Sequence, residues 1–267
     1  VNYDDYAAIP AIRSSRLRKM AKSPLHYRDE PDADTANRGT LRAIHCLVIE
    51  GAESMDRDFV VYGGRRAGRE FDAFEAAHPG KSILNPTEAD AVIRTAQSYL
   101  AHPRAGALIR AATGREETLT WNHPATGLRC KARLDLRNGA EVSDLKTYGT
   151  TVPHQIRNRA VQLFAHLQAA HYCEGVEVAL GIPAAEIRYR LLVAEGRAPW
   201  DVAVCELVPD GALRVGRELR ERLMARLAEC QEREEWPGAC PNEQELDVPE
   251  WADPEDDEFI GDEEEAA

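Results

Sequence analysis

The chain has 267 residues, 43% of them apolar, which is enough to bury a sizeable core and excludes disorder throughout. No apolar run approaches eighteen residues, which excludes a membrane-spanning helix and a signal-peptide core and predicts a cytosolic protein. The net charge of -13 argues against a nucleic-acid partner only at first sight: residues 241–267 hold thirteen acids and no Lys or Arg, so residues 1–240 balance at 33 charges of each sign and can still gather arginine in one groove.

Along the chain, Ser14 or Ser15 caps a helix through Met20 that Ser23-Pro24 stops. A second helix is expected from Gly39 to a glycine cap at Gly51, then a strand over Phe59 to Tyr62 and a helix over Arg69 to Ala77. Asn85-Pro86-Thr87-Glu88 opens a helix reaching Leu100, with proline at its first position and acids in its first turn. The period then shortens to two, because Glu117, Leu119 and Trp121 alternate with Glu116, Thr118 and Thr120. Three strands of a meander follow from that alternation, the second over Leu128 to Leu136 and the third over Glu141 to Thr147, joined by a tight Asn138-Gly139 turn. Arg157 to Cys173 reads as one long helix, Glu186 to Val193 and Asp201 to Leu207 as strands, and Leu213 to Glu234 as a charged amphipathic helix. Residues 1–252 thus read as one α/β domain, a central mixed sheet flanked by helices, and 253–267 as an acidic tail too poor in apolar residues to pack. The six cysteines, Cys46, Cys130, Cys173, Cys205, Cys230 and Cys240, form no CxxC pair, so zinc-ribbon and iron–sulfur sites lack their spacing and reduced thiols are expected.

The segment from Ala132 to Thr147 carries the chemistry. Residues two apart on a strand share a face, so Asp144 and Lys146 project together while the hairpin brings Asp135 beside them. Two converging carboxylates suit Mg²⁺ or Mn²⁺, hard ions that activate water for attack on a phosphodiester. A neighbouring ammonium positions that water or stabilises the developing charge. In most proteins an Asp-x-Lys triplet is only a surface ion pair. Here Lys146 alone among the five lysines has an acid two positions earlier, and that acid follows an Asp-bearing strand across an Asn-Gly turn.

With its Asp, short spacer and Asp-x-Lys, the chain resembles the PD-(D/E)XK nuclease superfamily, and its flanking segments resemble the RecE-type, exodeoxyribonuclease VIII-like phage exonucleases. These segments are Ser14-Ser15-Arg16-Leu17 with Ser23-Pro24-Leu25-His26-Tyr27, the Gly39 to Glu50 helix containing His45, the approach Thr126 to Asp135, and Gln168-Ala169-Ala170-His171-Tyr172. Trp236-Pro237-Gly238 and Val248-Pro249-Glu250-Trp251-Ala252 resemble the same branch near its end. The strength lies in the order of the motifs, since each alone is weak. The proline that names the superfamily is Leu134 here, and its second acid is Asp rather than Glu.

The resemblance implies a restriction-endonuclease-like core in which Asp135, Asp144, the Leu145 carbonyl and His45 hold the metal and Lys146 is the catalytic lysine. On the residues alone His45 reads as an ordinary helix or core histidine. Glu117 is expected on a strand facing the site, where the resemblance implies a further catalytic acid, against a plain reading as an exposed strand glutamate. Gln168 and Tyr172, one helical turn apart, would contact DNA or hold the lysine, and Ser14, Ser15 and Arg16 would bind a 5′ phosphate, against a plain reading as helix packing and capping. The implied activity is a Mg²⁺-dependent exonuclease, with Mn²⁺ as substitute, acting on double-stranded DNA ends. Its product would be 3′ single strands for a single-strand annealing protein, and the enzyme would be a homo-oligomer. No Gly-x-x-x-x-Gly-Lys-Ser/Thr loop is present, so the reaction is expected to be ATP-independent. A structure-specific or restriction-like endonuclease and an inactive DNA-binding scaffold are the competing readings.

Overall fold

A computed structural model describes residues 3–31, 38–240, 242–245 and 247. The expected acidic tail and the motif at 248–252 lie outside them. The N-terminal third is helical: α1 (Tyr3–Ala8), α2 (Ser14–Lys22), α3 (Pro24–Asp29), α4 (Arg38–His45), which runs into a π-turn over Cys46–Glu50, and α5 (Ala52–Asp58). Then come β1 (Phe59–Val61), α6 (Arg69–Ala77), β2 (Ser82–Leu84), α7 (Pro86–Ala101) and α8 (Pro103–Ala111). The remainder is β3 (Gly114–Asn122), β4 (Arg129–Asn138), β5 (Glu141–Thr147), α9 (Pro153–Gln162), α10 (Ala165–Leu180), β6 (Arg188–Ala194), β7 (Val202–Glu206) and α11 (Arg214–Arg233).

Five strands form the central sheet in the order β3-β4-β5-β6-β7, antiparallel except for the parallel β5–β6 pair. One face packs on α2, α10 and α11 through Leu17, Leu134, Leu167 and Leu227, and the other on α4 and α7 through Ile44, Val92, Leu136 and Leu192. Burying a side chain of this size contributes about 1.5–3 kcal/mol, so the two apolar layers hold the sheet between them. The expected mixed sheet covered by helices is the observed architecture. Asn138 pairs with Glu141, which leaves Gly139 and Ala140 as a two-residue loop, and Gly139 sits at φ +58, a conformation that glycine adopts without steric cost. The box at Asn85 is complete: its side chain accepts from the Glu88 N–H while Glu88 accepts from the Asn85 N–H, both at 2.8 Å.

Several elements differ from the sequence reading. β1 pairs in parallel with β2 in a separate small sheet; β2 has three residues, too few to show a period. The single helix expected over Arg157 to Cys173 is two, α9 and α10, because Phe164 takes a left-handed conformation at φ +58. That conformation costs a non-glycine residue about 1 kcal/mol, and no Gly or Pro marks it in the sequence. All six cysteines are unpaired thiols, four of them buried.

Two buried cations organise the site's surroundings. The Lys131 ammonium donates to the carbonyls of Tyr6, Ala7 and Ile9 at 2.7, 3.1 and 2.8 Å, closing the C-terminal end of α1 and holding it against β4. Arg220 of α11 forks onto Glu174 of α10, which also accepts from the Trp121 indole N–H at 2.7 Å. Close approach of α11 to α10 depends on Gly216, where a Cβ would lie 2.1 Å from the His166 carbonyl oxygen.

His171 is locked in the same network. Its Nε2 donates to the Lys131 carbonyl at 3.0 Å and its Nδ1 accepts from Arg220 at 3.2 Å, an arrangement that requires a neutral ring. Burial, then the Arg220 charge, lowers its pKa to about 3. The unfolded chain takes up that proton near pH 6.5, so stability is complete above that pH and is lost as pH falls from about 6.5 to about 3, on the order of 5 kcal/mol in all. His171→Gln keeps one donor and one acceptor without titrating. Its urea midpoint is expected to change less between pH 7 and pH 4.5 than that of the wild type; equal changes would clear His171 of the acid sensitivity.

Candidate active site

The β4–β5 ladder pairs only Leu136 to Asn138 with Glu141 to Ser143, after which the strands splay apart. Below the fork β4 continues beside β3 and β5 beside β6. Asp135 is the first residue past the ladder, and the Leu145 N–H, without a cross-strand carbonyl there, donates to Asp135 Oδ2 at 2.8 Å. Leu134 and Leu136 belong to the cores on opposite faces, although residues two apart on a regular strand share a face. The alternation of β4 therefore shifts at Asp135. Directly across on β3, Glu116 lies at φ +47 between the paired residues Arg115 and Glu117. The irregularity on both strands turns Glu116 and Asp135 together.

His45, the last residue of α4, brings Nδ1 to 3.6 Å from Asp135 Oδ2. Ligand atoms of His45, Glu116 and Asp135 lie within 4.8 Å of one another. Burial and then the Asp135 charge push the Glu116 carboxyl up to about 7, against the opposing pull of Arg133, whose Nε is 2.5 Å away. Two carboxylates forced together beside an imidazole are relieved by a cation, and one nitrogen with two hard oxygens suits Mg²⁺ or Mn²⁺. The residues present fit a divalent ion.

Asp144 stands beside that triangle, held by other partners. The Lys146 ammonium is 2.5 Å from its Oδ2, and Gln168 of α10 donates to its Oδ1 at 2.9 Å while accepting from Lys146 at 3.0 Å. Complete burial raises the Asp144 pKa, and Lys146 pulls it back part of the way. Burial works against the Lys146 charge, but Asp144 and then Asp135 outweigh it and hold the ammonium above the usual lysine range. Lys146 therefore acts as a cation and hydrogen-bond donor rather than as a base. The Tyr99 hydroxyl bonds the carbonyls of Lys146 at 2.7 Å and Leu192 at 3.0 Å, fixing the strand that carries the lysine.

Against the site expected from sequence, His45, Asp135, Asp144, Leu145, Lys146 and Gln168 come together. Glu117 is a correction. Its carboxylate is taken by Arg137 at 2.5 and 2.9 Å, and Glu116 occupies the place beside Asp135 because the backbone inversion changes which of the two faces the site. Regular alternation in the sequence gave no sign of that inversion.

A cavity of about 290 Å³ adjoins the site through Gln168. Gln168 and Tyr172 of α10 line one side with Leu163 and Phe164, and Ser14 and Ser15 line the other with Tyr6, Arg13 and Arg18. Arg16, expected with the serines, turns away and stacks its guanidinium 4.8 Å over the Tyr27 ring, so Arg13 and Arg18 supply the charge instead. Helical spacing contained that signal, since Ser14 and Arg18 are four apart and share a face whereas Arg16 does not.

A sheet fork with a lysine two residues past a buried aspartate is the arrangement of the PD-(D/E)XK nuclease superfamily. Sequence comparison agrees: the profile described as "PDDEXK-like domain of unknown function (DUF3799)" matches residues 15–247, and the chain belongs to that family. The search of curated proteins returns no significant match. The fold is similar to the 2.19 Å crystal structure of a protein from Eubacterium rectale described as a "putative exonuclease", with a TM-score of 0.58 and 15% identity over 93% of this chain and 95% of that one. At that identity the likeness shows the fold alone. No helix among the described residues is long and apolar enough to cross a membrane.

Proposed function

We propose that this PDDEXK-like domain is a metal-dependent, ATP-independent exodeoxyribonuclease that digests linear duplex DNA from its ends, 5′ to 3′. The reading is supported by the pocket that adjoins Lys146 through Gln168: two arginines, two serines and the N-terminus of α2 gathered there suit a terminal phosphate, which carries more negative charge than a phosphodiester within the strand. A divalent ion, Mg²⁺ or in its place Mn²⁺, would be held by His45, Glu116 and Asp135, with Asp144 and the Leu145 carbonyl as further oxygen donors, and would supply Lewis acidity toward the phosphodiester and the attacking water. Lys146 orients that water and offsets charge developing on the phosphate. Gln168 fixes both Lys146 and Asp144, and the Leu145 N–H fixes the rotamer of Asp135. Arg13, Arg18, Ser14 and Ser15 hold the terminal phosphate, which sets the register of the scissile bond. The 3′ strand left behind suits a single-strand annealing partner, and a homo-oligomer would keep the enzyme on its track.

Incubation with Mg²⁺ is expected to release nucleotides from end-labelled linear duplex and to leave a closed circle of the same sequence intact. A 5′-hydroxyl end should be digested about tenfold more slowly than a 5′-phosphate end, equivalent to roughly 1.4 kcal/mol of phosphate recognition. Arg18→Ala should erase that preference. Cutting of the closed circle at a comparable rate would replace this reading by the endonuclease one.

A further inference from the structure

Between Asp144 and Glu174 the sequence contains no acidic residue, and α9 lies in the middle of that stretch. Within α9 only Ile156 is buried; His154, Gln155, Arg157, Asn158, Arg159 and Gln162 are exposed. Some exposed arginines pair with carboxylates, as Arg28 does at Asp29, Arg94 at Asp90, Arg214 at Glu218 and Arg233 at Glu229, and others, such as Arg222 and Arg226, stand on a helix that also carries acids. Among the described residues neither Arg157 nor Arg159 has an ion-pair partner. The helix also lies alongside the chemistry. Tyr148, two residues past Lys146, feels the charges of both Lys146 and Arg159. The left-handed Phe164 ends the α9 segment, lines the end-binding cavity and accepts from the Gln168 N–H at 3.0 Å. One strained residue thus seats the site glutamine on one side and holds α9 out on the other.

Helical geometry gives the arginines a particular disposition. Residues two apart are separated by about 200° around the axis, so Arg157 and Arg159 leave α9 on opposite flanks of the buried Ile156. The outward face between them carries His154, Asn158 and Gln162 with the exposed Val161, and no negative charge. A helix with its side chains is about 10–12 Å across, and the major groove of B-DNA is about 12 Å wide with a phosphate backbone on either side. We propose that α9 seats in the major groove of the duplex leading to the site, with Arg157 and Arg159 reaching the phosphates of the two opposite strands. The partner is double-stranded DNA, and the contact is sequence-tolerant because its charged groups meet phosphates rather than base edges.

This inference rests on the nuclease reading, and the two are separable by experiment. Digestion of linear duplex by the wild type with Mg²⁺ judges the nuclease reading. Binding judges α9, measured with the full chain by anisotropy of a labelled duplex and of the matching single strand, in Ca²⁺ without Mg²⁺, across a salt series. Arg157→Gln/Arg159→Gln is expected to reduce the duplex log–log salt slope by about two and to leave single-strand affinity within about twofold. The control Arg222→Gln/Arg226→Gln, two exposed arginines of α11, should leave the duplex slope unchanged. Equal slope changes in the two double variants, or equal losses for duplex and single strand, would overturn the assignment of α9. A wild type that digests linear duplex while the α9 variant keeps the full slope would sink this inference alone.

Discussion

Lys146→Ala is expected to lower cleavage of linear duplex by about 10^3-fold while duplex affinity stays within about threefold. The ammonium is held charged against burial by Asp144 and Asp135, and it lies deep at the fork, so it acts on the reacting phosphate rather than on the length of the DNA. Its removal leaves the Asp144 carboxylate with only the Gln168 amide, and burial then favours the protonated acid. The variant should therefore also lose stability, on the order of 3 kcal/mol, because a buried pair broken on one side strands the other. Rates are to be compared at a temperature where circular dichroism shows both proteins folded. Binding is measured in Ca²⁺, where the intact substrate persists. Cleavage within tenfold of the wild type would remove Lys146 from the mechanism.

Neighbouring glutamates provide the second large effect and the sharpest contrast. Glu116→Gln is expected to reduce cleavage by about 100-fold, equivalent to roughly 2.7 kcal/mol, since it takes one anionic oxygen from the three donors that fit the metal. Glu117→Gln should change the rate by less than about twofold, because its carboxylate serves a partly exposed pair with Arg137 whose loss costs about 1 kcal/mol or less of stability. A metal titration separates ligand loss from misfolding: the Glu116 variant should need more Mg²⁺ for half-maximal activity, whereas the Glu117 variant should not. If the Glu117 variant were the one to lose activity, the inversion at Glu116 would not describe the working site.

The α/β class, most helices and strands of the main sheet, and the placement of Asp135, Asp144 and Lys146 on adjacent strands were legible in the amino-acid order. Each of those features rests on a local period or a short turn: two residues per strand repeat, the Asn-Gly hairpin, the Asn85 to Glu88 box. Such signals survive in one dimension because neighbouring residues create them. Where the period fails is set by long-range pairing and packing. The shift at Asp135 and the inversion at Glu116 arise where β4, paired with β3 on both sides of the fork, loses its pairing with β5 and must fill a core on each face. Nothing in the alternation of Glu116 and Glu117 reveals that competition. The same reason hides the break at Phe164, where an aromatic residue takes a conformation usually marked by glycine and packs partly buried against the core. Arg16 and Arg18 fall between these cases: helical spacing already separated their faces, and the three-dimensional arrangement of Tyr27 on one side and the cavity on the other decided which face meets the site.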